Sequence, residues 1–293
     1  MTRRYDPMTP PVALTIAGSD SGGGAGIQAD LKAMTAHDVF GTSVVTATTA
    51  QNSRGVHDVR PMPGDHVASQ YDAVVDDFPV AAVKTGMLAT AEVVETVTGR
   101  LAGFDGPVVV DPVMVAATGD RLLSSEAEAA YDDLIAEAAL VTPNIDEAEV
   151  LVDEPIETAA DAEAAGRELV DRGASAALVK GGHLDEGDAD DVIDQLVIAD
   201  DGDRRSGDGD DRRSDHGDGA AVEAIQCVNP RVETTATHGS GCTLSSAIAA
   251  RLARDEPLRE AVTAAVGEMH ETIRRGYDVG SGSGAVNPTV MDG

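Results

Sequence analysis

The sequence predicts an α/β fold in three layers, with a mostly parallel central sheet covered by helices on both faces. Strand-like apolar runs alternate with helical patterns along nearly all of the 293 residues. The strands are almost unbroken apolar stretches, as expected when both faces of a parallel sheet are buried. Late in the chain the pattern changes, and two runs read as an antiparallel pair at one edge.

The first strand, Val12–Ala17, runs into the glycine-rich stretch 18–26, and a helix over 25–37 follows with Ile27, Leu31 and Met34 on one face. The strands Ser43–Thr48, Ala81–Lys84, Val108–Asp111, Leu140–Thr142 and Ala176–Lys180 come next. Helices are predicted over 65–77, 89–102, 124–137 and 158–172, the third opened by the capping box Ser125-x-x-Glu128. Val192–Ile198 and Ala221–Val228 form the edge pair. Leu244, Ile248 and Leu252 fall at i, i+4 and i+8, which gives the helix after residue 243 one apolar face.

Between the edge strands, 200–219 carries eight Asp, four Arg and no aliphatic side chain, with Asp-Arg-Arg-Ser at 203–206 and again at 211–214. Such a segment has nothing to bury, which predicts a disordered acidic insert. A single domain is expected over 11–280, with 281–293 as a loose tail because Gly and Ser alternate from Gly280 to Gly284.

Composition narrows the function. Asp and Glu number 52 against 21 Lys and Arg, a net charge of −31 that argues against nucleic acid or an anionic membrane as partner. Only Lys32, Lys84 and Lys180 are lysines, and aromatics make up 2%. Carboxylate excess with lysine scarcity points to a surface adapted to concentrated salt, that of an extreme halophile, where self-repulsion is screened; an ordinary acidic cytosolic protein is the alternative. Cys227 and Cys242 are too few for a disulfide framework or a zinc site. No run approaches 18 apolar residues, and no apolar stretch follows Arg3 and Arg4, so a soluble cytoplasmic protein is expected.

Ligands of such sheets sit beyond the carboxyl ends of the strands. Thr237-His238-Gly239-Ser240-Gly241-Cys242-Thr243 opens a helix. Its backbone N–H groups and helix dipole suit a phosphate, and would favour a thiolate at Cys242, although a small buried cysteine fits the same pattern. Gly24 to Ala29 fits G-x-G-x-x-A, but no carboxylate lies between Val39 and Val56 to hold a ribose, so a dinucleotide site is poorly supported. Gly-Lys never occurs, which excludes a P-loop. The early glycines fit close approach of the backbone to a small substrate.

Gln51, just past the second strand, offers the donor–acceptor pair that an aminopyrimidine edge complements; a plain loop amide is the alternative. Asp111 ends its strand and Asn144-x-x-Glu147 follows the next, which suits Mg²⁺ or simply a capped helix. Lys180, before Gly181-Gly182-His183, reads as an anion contact, and His183 as either a ligand contact or a loop residue.

Taken together, Leu14 to Asp20, Gly23 to Lys32, Gln51-Asn52, Lys84 to Leu88, Asp111 to Met114, Thr142 to Asn144, Lys180 to His183 and Thr237 to Thr243 carry a resemblance in order along residues 12–275. The sequence resembles the hydroxymethylpyrimidine and phosphomethylpyrimidine kinases of thiamine biosynthesis, members of the ribokinase-like superfamily. Ser240 stands where that family most often has Thr, and keeps the hydroxyl.

The resemblance implies a ribokinase-like α/β/α sandwich that uses MgATP twice, first on 4-amino-5-hydroxymethyl-2-methylpyrimidine and then on its monophosphate. It implies Cys242 as general base, with Lys180, Gly239 and Gly241 facing the transferring phosphate. Gln51 would bind the pyrimidine edge in a pocket lined by Gly18, Asp30, Met87 and Val113, and Asp111, Asn144 and Glu147 would surround Mg²⁺, partly through water. A homodimer is compatible with this reading. The competing functions are a kinase for a related alcohol such as pyridoxal, and a pyrimidine-sensing protein without turnover.

Overall fold

The computed structural model describes residues 6–114, 130–182, 191–200 and 222–291. The capping box at Ser125, His183 and the acidic insert from 201 onward lie outside the described residues. Nine strands are described: β1 (Val12–Ser19), β2 (Phe40–Asn52), β3 (Gly55–Pro61), β4 (Val80–Thr85), β5 (Val108–Val110), β6 (Leu140–Val141), β7 (Ala176–Val179), β8 (Asp191–Ala199) and β9 (Val222–Pro230). They form one sheet in the order β3-β2-β1-β4-β5-β6-β7-β8-β9. Strands β2, β1 and β4 to β7 run parallel, while β3, β8 and β9 are antiparallel to their neighbours.

The helices among the described residues are α1 (Gly26–Ala36), α2 (Gly64–Val75), α3 (Ala91–Leu101), α4 (Tyr131–Ala136), α5 (Ile145–Val152), α6 (Ala159–Asp171), α7 (Ser240–Ala253) and α8 (Leu258–Arg274). Alternation along the strands divides them between two cores. Leu14, Ile16, Val83, Val110 and Val141 face α2 to α6. Ala13, Ala82, Val109, Leu140 and Leu178 face α1, α7 and α8. Ala13, Ala82 and Ala176 are small, so α7 can lie close to the sheet with Ala247, Ala249 and Ala250 fully buried. This is the three-layer sandwich the sequence predicts.

Two elements depart from expectation. Strand β3, Gly-Val-His-Asp-Val-Arg-Pro, has no apolar run; it forms because β2 continues to Asn52 and folds back on it, pairing Thr49 with Val59 at the sheet edge. The tail expected to be loose is docked over 281–291. Ser53 Oγ accepts from the Ser281 and Gly282 amides at 3.2 and 3.1 Å, and the Ser283 amide donates to Ser53 O at 3.0 Å. Val286 and Met291 are buried. A side chain at Gly282 would lie 1.9 Å from Ser53 O, so the Gly–Ser alternation there permits backbone contact with the β2–β3 turn.

Chain order reverses between β1 and β4, since β2 lies on one side of β1 and β4 to β7 on the other. Such a switch point opens a crevice at the strands' carboxyl ends. The two glycine-rich loops, 18–26 and 237–242, meet there.

Candidate active site

Helix α7 begins without a side-chain cap. Its N-cap, Gly239, has φ +80, and a Cβ at that position would lie 1.8 Å from Gly24 O. Only glycine permits both the left-handed conformation and the contact between loops. The Gly241 and Cys242 amides have no hydrogen-bond partner among the described residues. They remain available to an anion, and the helix dipole adds to their attraction.

Lys180 and Asp111 arrive at the same place from the ends of β7 and β5. Their side chains pair at 3.2 Å, and a Cβ on Gly241 would lie 3.2 Å from Lys180 Nζ and 3.8 Å from Asp111 Oδ2. Thr142 Oγ1 and Ser245 Oγ each donate to Asp111 at 3.3 Å. Burial works against the Lys180 charge, yet Asp111 and Glu147 hold its ammonium above the usual lysine value. The structure thus brings Gly239, Gly241, Cys242, Lys180 and Asp111 into one cluster.

Glu147 stands beside this cluster, 4% exposed. Burial and the Asp111 charge push its carboxyl up to about 7 against the pull of Lys180, while the Asn144 and Met114 amides donate to it. Two oxygen-donor carboxylates with a surplus of negative charge fit a hard divalent cation that keeps some of its water. Asn144 serves here as a cap: its side-chain oxygen accepts from the Glu147 amide at 2.8 Å, and Glu147 returns the bond to the Asn144 amide at 2.9 Å. This is a capping box, and it makes Asn144 the element that holds Glu147 in place.

The first glycine loop is no open phosphate cradle. Asp20, 3% exposed, accepts from the Gly22, Gly24 and Ala25 amides at 2.7, 3.0 and 2.9 Å. His238 Nε2 lies 3.1 Å from Asp20 Oδ2 and ties that loop to the one before α7. Burial opposes the Asp20 charge, but hydrogen bonds from His238, Ala25 and Gly22 hold its carboxyl below the usual carboxylate range. With those amides filled, this loop leaves no seat for a pyrophosphate.

Gly18 and Met87 abut at the switch point, where a Cβ on Gly18 would lie 2.4 Å from Met87 Cε. Val113 is half-buried in the turn after Asp111. Gln51 is fixed to the first loop by Ser21 Oγ, which bonds its N–H at 2.8 Å and its carbonyl at 2.7 Å. The Gln51 Oε1 accepts from Thr49 Oγ1 at 3.2 Å, and its amide donors have no partner among the described residues.

Asp30 corrects the expectation that it lines the pocket. It is fully buried, with both oxygens engaged: Lys84 Nζ at 3.0 and 3.1 Å, Thr15 Oγ1 at 2.6 Å and Ser246 Oγ at 2.8 Å. Lys84 is the residue that the sequence reading missed. A lysine within the apolar run Ala81-Ala82-Val83 was the available signal, because a buried ammonium demands a partner.

Cys242, expected to gain a thiolate from the helix N-terminus, meets an opposing influence. Burial pushes its thiol up to about 11, outweighing Lys84 and the Gly26 N–H that donates to the sulfur. The helix N-terminus alone does not hold a thiolate here.

The family model for phosphomethylpyrimidine kinase matches residues 20–225 and 220–287. A hydroxymethylpyrimidine/phosphomethylpyrimidine kinase of Streptomyces coelicolor is 44% identical over 288 residues, 98% of this chain and 97% of the relative. The crystal structure of a phosphomethylpyrimidine kinase from Clostridium difficile is similar with a TM-score of 0.71 at 36% identity, covering 89% of this chain and 99% of that one. The pyridoxal kinase of Staphylococcus aureus, solved with AMP-PCP and pyridoxal, gives a TM-score of 0.81 at 29% identity over 97% and 95% of the two chains.

The two roles of Asn144 separate by measurement. As a cap, Asn144→Ala should lower stability by about 0.5–2 kcal/mol. In a thermal melt with and without Mg²⁺, the same loss is expected in both conditions; a loss that appears only with Mg²⁺ would make Asn144 a ligand.

Proposed function

We infer the reaction from one premise: this chain belongs to the phosphomethylpyrimidine kinase family. It phosphorylates 4-amino-5-hydroxymethyl-2-methylpyrimidine with ATP and then phosphorylates the resulting monophosphate, in thiamine diphosphate biosynthesis. The observation that carries this reading is the meeting of Cys242, the Lys180–Asp111 pair and the uncapped α7 N-terminus at the switch point.

Phosphoryl transfer needs positioning and charge neutralisation more than covalent chemistry. Lys180 and the Gly241 and Cys242 amides face the phosphoryl group in flight. Asp111 and Glu147 would hold Mg²⁺, which when bound neutralises charge on the phosphates. The open donors of Gln51 pair with a ring nitrogen, and its Oε1 turns from Thr49 to the exocyclic amine. Gly18, Met87 and Val113 enclose the ring. Cys242 takes the proton of the substrate alcohol as its oxygen attacks phosphorus. The structural likeness to pyridoxal kinases makes pyridoxal the comparison alcohol, and a substrate panel with ATP decides between the two.

We also infer a cytoplasmic enzyme that works in concentrated salt, from the net charge of −31 and the three lysines. Among the described residues, no helix is long and apolar enough to cross a membrane.

Gln51→Leu keeps the bulk and leaves the ring edge unpaired, a cost of about 1–3 kcal/mol. The KM for the pyrimidine should rise about 5- to 150-fold with ATP binding intact; an unchanged KM would remove Gln51 from the pocket. Activity should rise from dilute buffer towards molar KCl, because at 0.01 M salt self-repulsion extends over about 30 Å. Full activity and stability in dilute buffer would defeat the salt inference.

The two steps differ at Cys242. The alcohol needs its proton removed, which a positioned base accelerates by about 10²–10⁴-fold. The phosphate oxygen of the monophosphate is already anionic above its second pKa of about 6. With the thiol pushed up to about 11, its base form grows as pH rises. The alcohol step should therefore quicken about tenfold per pH unit between roughly 7 and 9, while the second step stays level. Cys242→Ala should abolish that rise and spare the second step in single-turnover assays. Equal losses in both steps would make Cys242 part of the anion site only.

A further inference from the structure

Lys84 touches neither solvent nor the anion cradle, and the reaction as described gives it no task. It is fully buried at the end of β4, where β4 meets β1 at the switch point. Gly86 leaves it room: a Cβ there would lie 2.8 Å from Lys84 Nζ. Its ammonium carries three donors. Asp30 takes two of them, one to each carboxylate oxygen, at 3.0 and 3.1 Å.

Asp30 in turn accepts from Ser246 Oγ at 2.8 Å. Ser246 lies one helical turn beyond Cys242 in α7, at i+4, so the two side chains share one face of the helix. The pair Asp30–Lys84 therefore sits against the face of α7 that carries the thiol. The Gly26 amide, which opens the helix bearing Asp30, donates to the Cys242 sulfur. The charged groups that act on this sulfur are Lys84, Asp30 and Asp111, with Lys180 on the cradle side. Lys84 is the foremost of those that favour a negative sulfur.

We propose that Lys84 is a positioning residue for the first phosphorylation, supplying from beneath α7 the fixed positive charge against which Cys242 gives up its proton. Lys84 itself neither gains nor loses a proton. The Cys242 thiol loses its proton to solvent, the resulting thiolate takes the hydroxyl proton of the substrate, and the freed oxygen bonds to the γ-phosphorus as the bond to the ADP oxygen breaks. Asp30 fixes the ammonium in place, and Thr15 and Ser246 fix Asp30. The proposal deepens the reading above and rests on it for the identity of Cys242 as the proton acceptor.

The test reads the thiol directly, apart from turnover. Cys227→Ser makes Cys242 the single cysteine of the full chain, and its alkylation by iodoacetamide is followed from pH 7 to 10. Asp30→Asn with Lys84→Met then removes the pair as a unit and leaves no buried charge alone. Alkylation of Cys242 at pH 8 should fall and the profile should move to higher pH, by less than the loss of Lys84 alone would give, because Asp30, which opposes the thiolate, is removed with it. The alcohol step should lose rate more than the monophosphate step, with the KM for the pyrimidine little changed.

Melting and circular dichroism establish that the variant is folded. If it does not fold, Asp30→Asn with Lys84→Gln keeps a hydrogen-bonded neutral pair in the same space. An unchanged or faster alkylation profile in either folded variant overturns the proposal. If alkylation shifts while Cys242→Ala slows both steps equally, Lys84 sets the thiol as proposed and the base reading is what fails.

Discussion

The ion pair between Asp30 and Lys84 is the constraint on which the rest of this structure depends. Neither side chain is exposed, so both charges have left water, a cost of several kcal/mol each that only close pairing and complete hydrogen bonding offset. The pairing is close, and Asp30 receives four hydrogen bonds on its two carboxylate oxygens, from β1, β4 and α7. Burial opposes both charges. Asp30 more than restores that of Lys84, raising the ammonium above its usual value, while burial keeps the Asp30 carboxyl above the usual carboxylate range against the pull of Lys84, Thr15 and Ser246. The pair joins α1, β1, β4 and α7, the four elements that border the switch point. Removing one partner strands the other, which is why the two must be considered as a unit.

That joint sets where the two glycine loops can be. Helix α1 starts at Gly26 and α7 at Ser240, and fixing both helices to β1 and β4 brings their first turns together. The loops then differ in what fills them. Asp20 occupies the amides of the first, an internal anion held by His238, while the amides of Gly241 and Cys242 stay open. An anion would therefore find open amides at the second loop and none at the first. The strap 281–286 closes the same arrangement from outside. It bonds Ser53 beyond Gln51 at one end, and at the other the His238 amide donates to Gly284 O at 3.1 Å.

Much of this was legible in the sequence, where periodicity had something to report. The parallel strands, the antiparallel pair β8–β9 and the helix after Gly239 follow from apolar runs and spacing. The cluster of Cys242, Lys180 and Asp111 follows from inspecting the strand ends. Illegible were features made by backbone or by distant partners. The docking of 281–286 depends on amide groups that every sequence has, and Gly–Ser alternation hides it. Asp30 sits on a helix after a glycine loop and reads as a pocket residue until its partners, 15, 54 and 216 residues away, are known. Asn144 and Glu147 left two readings open, a capped helix and a Mg²⁺ site, and the capping box answers the first. Asn144 is the cap, and Glu147 is at once its partner and a buried carboxylate beside Asp111.

Cys242 shows why local rules were not enough. A helix N-terminus stabilises a negative charge by about 0.3–1 kcal/mol when exposed, and up to about 2 when partly buried. One pKa unit corresponds to 1.36 kcal/mol, so the dipole alone moves a thiol by little more than a unit. Desolvation works in the opposite direction, and here it prevails, leaving the thiol at about 11 with Asp30 and Asp111 adding to the opposition. A group that must accept a proton from an alcohol gains from a high affinity for protons, provided that its charged form can be reached. Burial provides the affinity, and a fixed cation close by makes the charged form reachable. On the proposed reading, Cys242 with Lys84 below it would meet both needs at one helix end, while the Gly241 and Cys242 amides above stay unpaired among the described residues.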